Sequence, residues 1–148
     1  MDVKDLRRLV EAEPFLGHLG LEVLEAQTGT VALCLALRPE VTNHIGSVHG
    51  GAQYALGEAA AIALAATLFP EWLPDLDLLT AQAAIIYHRP ARGDLTARAA
   101  LPAKECERLR TEFGARGRVR FSAAVALADA DGMSATTLTV ECAVRARR

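Results

Sequence analysis

The chain has 148 residues, enough for one domain with a sizeable core, and its 51% hydrophobic against 23% charged residues excludes a disordered chain. A formal net charge of -2 and a pI of about 6.1 give no global reason to expect nucleic acid or an anionic membrane as partner.

Residues 3–12, VKDLRRLVEA, carry apolar side chains at Val3, Leu6, Leu9 and Val10, the spacing of a surface helix, which Pro14 ends. LEVLEA (21–26) and TVALCLAL (30–37) read as strands joined by a turn at Thr28-Gly29, the second covered on one face. A polar loop follows over 38–49. Gly50 and Gly51 open a long apolar helix that runs to about Leu68, and Pro70 and Pro74 terminate it. Strand patterns follow at 78–88, 94–102, 117–129 and 133–145, with DADG at 129–132 as a hairpin turn. Tight connections predict antiparallel pairing. One apolar helix with too little polar surface to be exposed on any side needs a single sheet to wrap it. No internal repeat, linker or second domain is visible, so residues 1–148 form one unit.

A membrane span over Ala52–Phe69 is the alternative for the apolar run. Glu58 inside it would cost roughly 2.5–3.5 kcal/mol at the bilayer centre, and no basic cluster flanks it. A buried helix of a soluble protein is the expectation. Cys34, Cys106 and Cys142 are odd in number, far apart and lack a C-x-x-C pair, which removes support for zinc or thioredoxin-like chemistry. Free thiols suit a reducing compartment, and MDVKDLRRLVEAEPF has no apolar signal region, so a cytoplasmic location is expected.

The chemistry concentrates in residues 43–58, NHIGSVHGGAQYALGE. A helix N-terminus offers unpaired N–H groups and a partial positive charge, and glycine lets a ligand atom approach. Gly50 and Gly51 therefore suit a developing oxyanion, or simply make a tight turn into the helix. Glu58 has no Lys, Arg or His within four residues on either side, which excludes a local ion pair. Either a distant group satisfies it or it faces a cleft as a base or nucleophile. Gly50 and Glu58 are eight residues apart on one helix, roughly 12 Å along its axis, too far to act on one carbonyl. If both act on one carbonyl they come from two subunits across a two-fold axis, which predicts a homo-oligomer.

The motif resembles the N-x-x-G-x-x-H-G-G…D/E signature of hotdog-fold acyl-CoA thioesterases of the phenylacetate-pathway (PaaI) type. PFLGHLGLEVLEAQTGTVALCLALRPE and IIYHRPARGD resemble the flanking segments of that family, so the similarity covers most of the chain. The resemblance implies an α+β hotdog fold, a curved antiparallel sheet around one long central helix, assembled as dimers or tetramers. It implies Gly50 as the oxyanion donor, His49 beside it holding the carbonyl or the loop, and Asn43 positioning water or thioester. It implies Glu58 as the catalytic acid lent by the other subunit, and Thr80, seven residues before Tyr87, orienting the water. Glutamate stands here where much of the family has aspartate. The substrate would be an acyl-CoA, with coenzyme A part of the substrate and no other cofactor.

Other residues carry less. A metal site at His44, His49 and His88 lacks a recognisable ligand set and second shell. GSVHG around Ser47 is not a nucleophile elbow. His18 is expected in a loop and His88 at a surface or interface. Arg116, Arg118 and Arg120 alternate as if on one strand face, and Arg89 and Arg92 flank a turn. With Gly51, Arg89, Arg116 and Arg118 are the candidates for gripping CoA, whose phosphates suit arginine; a solvated strand face is the plainer alternative. Tyr54, Leu56 and Trp72 either line an acyl pocket or pack in the core. A hotdog hydratase or dehydratase, and a non-catalytic acyl-CoA-binding protein, are the competing functions.

Overall fold

The computed structural model describes residues 1–147. Its order is α1 (Val3–Ala12), α2 (Pro14–Leu19), β1 (Glu22–Gln27), β2 (Thr30–Leu35), α3 (Gly50–Leu68), β3 (Leu76–Tyr87), β4 (Leu95–Ala100), α4 (Ala103–Arg116), β5 (Arg118–Ala128) and β6 (Ser134–Ala146). The six strands form one antiparallel sheet in the order β1-β2-β4-β5-β6-β3. α3 lies across its inner face and contacts β2, β3, β4, β5 and β6, the arrangement expected of a hotdog fold.

Alternation builds the core. On β5 the residues Val119, Phe121, Ala123, Val125 and Leu127 point inward and are buried, while Arg118, Arg120, Ser122, Ala124 and Ala126 point outward. α3 is alanine-rich, and Gly57 lets it approach β6 so closely that a Cβ there would come within 2.5 Å of Leu138 Cδ1. At Gly57 the helix packs by backbone proximity, while Leu56, Leu64 and Leu68 fill the core elsewhere along it.

Three sequence expectations need correction, and one helix is added where the sequence predicts no element. Pro14 does end α1, but it also starts the short helix α2, because its fixed φ suits a first helical position; His18 lies in that helix, not in a loop. Residues 103–116 form α4, which bridges β4 and β5 and buries Cys106, Leu109 and Phe113. Arg116 is accordingly the last residue of α4, followed by Gly117 in the left-handed conformation (φ 63°), and only Arg118 and Arg120 share a strand face. α3 is also not covered all round. Gly51 and Tyr54 are exposed and Glu58 and Ile62 half-buried, one open stripe along the helix at spacings of three and four residues.

That stripe runs beside β3, an edge of the sheet. The other edge strand, β1, packs under α1. β3 is twelve residues long and exposes Leu79, Ile86 and Tyr87. No helix among the described residues is long and apolar enough to cross a membrane.

Candidate active site

The loop before α3 is built by its own polar groups. Asn43 Oδ1 accepts from the N–H groups of Ile45 and Ser47, both at 3.1 Å, and its Nδ2 donates to Ser47 Oγ at 2.7 Å. The Asn43 amide is thus occupied by the turn it organises. Val48 N–H donates to Ala91 O at 2.8 Å, tying the loop to the β3–β4 connection. Buried Gln53 completes the anchorage: Nε2 donates to Val48 O at 2.8 Å and Oε1 accepts from Thr136 Oγ1 on β6. The loop is held from three sides, which presents the head of α3 in one fixed orientation.

At that head the two glycines differ. Gly51 N–H donates to His49 Nδ1 at 2.9 Å, so His49 caps the helix. A neutral imidazole in this role carries its proton on Nε2, leaving an outward N–H donor. Gly50 N–H has no acceptor among the described residues. Tyr87 stands next to it: Oη donates to Gly50 O at 2.9 Å, and a Cβ on Gly50 would lie 3.1 Å from that oxygen. Sequence reasoning gave Tyr87 no role; its position at the end of an apolar strand carries no signal for this contact.

Glu58 lies two turns along α3. Thr80 Oγ1 on β3 donates to Glu58 Oε1 at 2.6 Å, and no salt bridge reaches Glu58 among the described residues. The distant satisfying group is therefore a neutral hydroxyl rather than a cation. A bulge between Thr80 and Gln82 shifts the strand by one residue, so that Thr80 faces the helix as Ala83, Ile85 and Tyr87 do. Burial and the nearby Glu58 push the Cys142 thiol up to about 12, which makes it inert as a nucleophile. Glu58 also forms part of the wall of a cleft of about 560 Å³ between α1, α3 and the start of β3.

The arginines divide. Arg89 pairs with Asp129 at 2.7 Å and donates to Met133 O at 2.8 Å, so its guanidinium latches the β3–β4 turn to the β5–β6 hairpin. Arg116, Arg118, Arg120 and Arg145 line a depression of about 470 Å³ next to Leu79, the neighbour of Thr80. Trp72 packs with Phe69 and Phe113, and Leu56 is fully buried; both are core residues rather than cleft walls. Among the described residues no group of three His, Cys, Asp or Glu side chains is placed to hold a metal ion.

The family described as Domain of unknown function (DUF4442) matches residues 6–144. Among solved structures, a Pseudomonas aeruginosa protein of unknown function described as a probable thioesterase is 28% identical, with a TM-score of 0.86 over 99% of this chain and 97% of that one. A second Pseudomonas aeruginosa protein, a mutant thioesterase, is 15% identical with a TM-score of 0.76 over 99% and 95%. The E. coli PaaI protein from the phenylacetic acid degradation operon is 14% identical with a TM-score of 0.73 over 98% and 92%. The two more distant structures speak to fold alone. Among curated proteins no relative matches.

Proposed function

The chain belongs to the DUF4442 family and has the hotdog fold of the thioesterase superfamily, and on that premise we propose that it is an acyl-CoA thioesterase working as a homodimer or a larger even oligomer. The observation that carries the proposal is the pairing of two half-sites on one edge. Glu58 with Thr80, and Gly50 with Tyr87, each join α3 to β3, and the two pairs lie seven strand residues apart. Neither half suffices alone. Two copies joined antiparallel along β3, with Ala84 on the two-fold axis, align inner residues with inner residues. Ala83 meets the partner's Ile85, and the bulge brings Thr80 opposite the partner's Tyr87. Glu58 then faces the partner's Gly50. The pairing also covers the exposed apolar edge and the open stripe of α3.

In such a site the Gly50 N–H, assisted by the outward His49 Nε2–H, polarises the thioester carbonyl. Glu58 acts as general base on water oriented by Thr80, or attacks the carbonyl carbon itself to give an anhydride that water cleaves. Either way the C–S bond breaks, water supplies the acid's second oxygen, and the thiolate leaves with a proton as free CoA. Asn43 serves by fixing the loop that presents His49 and Gly50. The exposed backbone at Gly51 lets the pantetheine arm approach. Arg116 and Arg118 are the arginines nearest to take the CoA phosphates, with Arg89 holding the adjacent turn.

Complementation tests the shared site. Glu58→Ala is expected to lower thiol release ~10²–10⁴-fold, as loss of a general base does. Gly50→Pro keeps a helix-compatible first residue but deletes the N–H, for a loss of ~10²–10³-fold; Gly50→Ala controls for the new contact with Tyr87. Dissociated and reassembled together, the two inactive proteins are expected to regain about a quarter of wild-type activity, because half the dimers are mixed and each holds one intact site. No recovery in verified mixed dimers means that both groups act within one chain or not at all.

A further inference from the structure

The cleft beside Glu58 is not used by the chemistry above, and it has a definite shape. Its floor is the face of α3 formed by Ala59, Ala63 and Ala66, one residue type repeated at helical spacing. α1 roofs it with Leu6, Leu9 and Val10, and the start of β3 closes the side with Leu76, Leu78 and Leu79. Glu58 stands at one end, and Pro74 and Arg147 at the other. Leu9 is 42% exposed, so a large aliphatic group of the roof lines open space instead of filling it. At about 560 Å³ the cleft falls in the usual range of ligand sites, ~300–1,000 Å³.

We infer that this cleft is the acyl site and that it takes a straight aliphatic acyl chain of medium length. The inference rests on the thioesterase reading, because it places the reacting carbonyl at Glu58. From that end a chain runs along the alanine face. Ala59 to Ala66 spans seven residues, about 10.5 Å. An extended chain covers roughly 3.3–3.6 Å for every three backbone bonds, so about nine carbon–carbon bonds fit before Pro74. The walls favour alkyl over aryl. Every apolar lining residue is aliphatic; no ring lies along the cleft to stack against a second ring. The alanine methyls leave a trough, which Leu9 of α1 and Ile62 of α3 line from two different helices. Four charged residues also line it, Glu13, Glu58, Asp77 and Arg147, and two of them, Asp77 and Arg147, neutralise each other as an ion pair.

Thioether analogues separate this inference from the catalytic reading, because they bind without being cleaved. Calorimetry on the intact wild-type protein with S-ethyl-, S-hexyl-, S-decyl- and S-benzyl-CoA should show affinity rising with alkyl length. S-decyl-CoA should bind at least about a hundredfold more tightly than S-ethyl-CoA, and about tenfold more tightly than S-benzyl-CoA. Leu9→Trp, at an exposed position, fills the trough from the roof. It should cut the advantage of decyl over ethyl to below about tenfold and leave S-ethyl-CoA binding within about twofold. Ala66→Leu blocks the far end and should weaken decyl more than hexyl; it serves if the tryptophan variant fails to fold. Affinity independent of chain length, absence of binding included, overturns the inference. So does benzyl binding more tightly than decyl, or decyl affinity unchanged in a folded blocking variant. Length-dependent thioether binding with no cleavage of the matching thioesters would instead sink the thioesterase reading and leave the alkyl site standing.

Discussion

The two ends of α3 solve opposite problems. At its C-terminal end the helix is sealed: Phe69, Trp72 and Phe113 pack their rings at centroid distances of 4.9–6.2 Å. Arg110 of α4 donates to Leu68 O, pairs with Glu71 and stacks 5.4 Å over Trp72. A cation thus meets the negative end of the helix dipole. The N-terminal end has no such cover. Its cap is a single exposed imidazole, and among the described residues Gly50 N–H has no acceptor. Stability and chemistry are placed at opposite ends of α3. Buried rings and a capped carboxyl end hold the helix in the sheet, so the amino end can expose a backbone donor without unfolding it.

Phe113→Ala should loosen the sealed end. Losing a buried ring typically costs about 3–5 kcal/mol, and here it removes the centre of the three-ring cluster. Denaturant melts should register that loss, while thioester hydrolysis by the protein that remains folded should be unchanged. A fall in specific activity equal to that of Glu58→Ala would show that the two ends are not separable.

The open end predicts a smaller effect on stability and a larger one on rate. His49→Ala removes the cap on Gly51 N–H, worth about 1 kcal/mol. His49→Asn supplies another capping oxygen and should restore the melting temperature. It does not restore the outward Nε2–H donor, so hydrolysis should stay depressed in both variants. Rescue of rate together with stability would reduce His49 to a cap.

The candidate site was legible in the sequence only where one segment carries it. The glycine pair, the histidine before it and Glu58 all lie within residues 43–58, and a helix turns their spacing into geometry. α4 was not legible. Of its fourteen residues only Cys106, Leu109 and Phe113 are buried, Pro102 gives it no side-chain cap, and the charged run between two strand patterns reads as solvated chain. The open stripe on α3 was missed for a different reason. An almost wholly apolar helix predicts burial on all sides, and only the edge position of β3 reveals a face left for something else to cover. Thr80 came from resemblance rather than from pattern, since a partner 22 residues away on a bulged strand has no periodic signature. The arginine alternation misled because Gly117 reverses the chain between Arg116 and Arg118.

The smallest expected effect tests how the open end is moored. Arg89 holds Asp129 across the β3–β4 turn, two residues before Ala91, whose carbonyl receives Val48 N–H from the glycine-flanking loop. The hydrogen bond from Arg89 depresses the Asp129 carboxyl below its ordinary value of 3.8. A carboxyl lowered by folding stabilises the native state above its unfolded pKa and loses that contribution as pH falls through the folded one. The wild-type advantage over Asp129→Asn should therefore be complete at neutral pH and fade from about pH 4 downward. Hydrogen exchange at the Val48 amide is the sharper readout. It should be faster in the variant than in wild type at neutral pH, with exchange at the α4 core amides the same in both. Equal acceleration at both ends would mean that the latch steadies the whole sheet rather than the loop that presents Gly50.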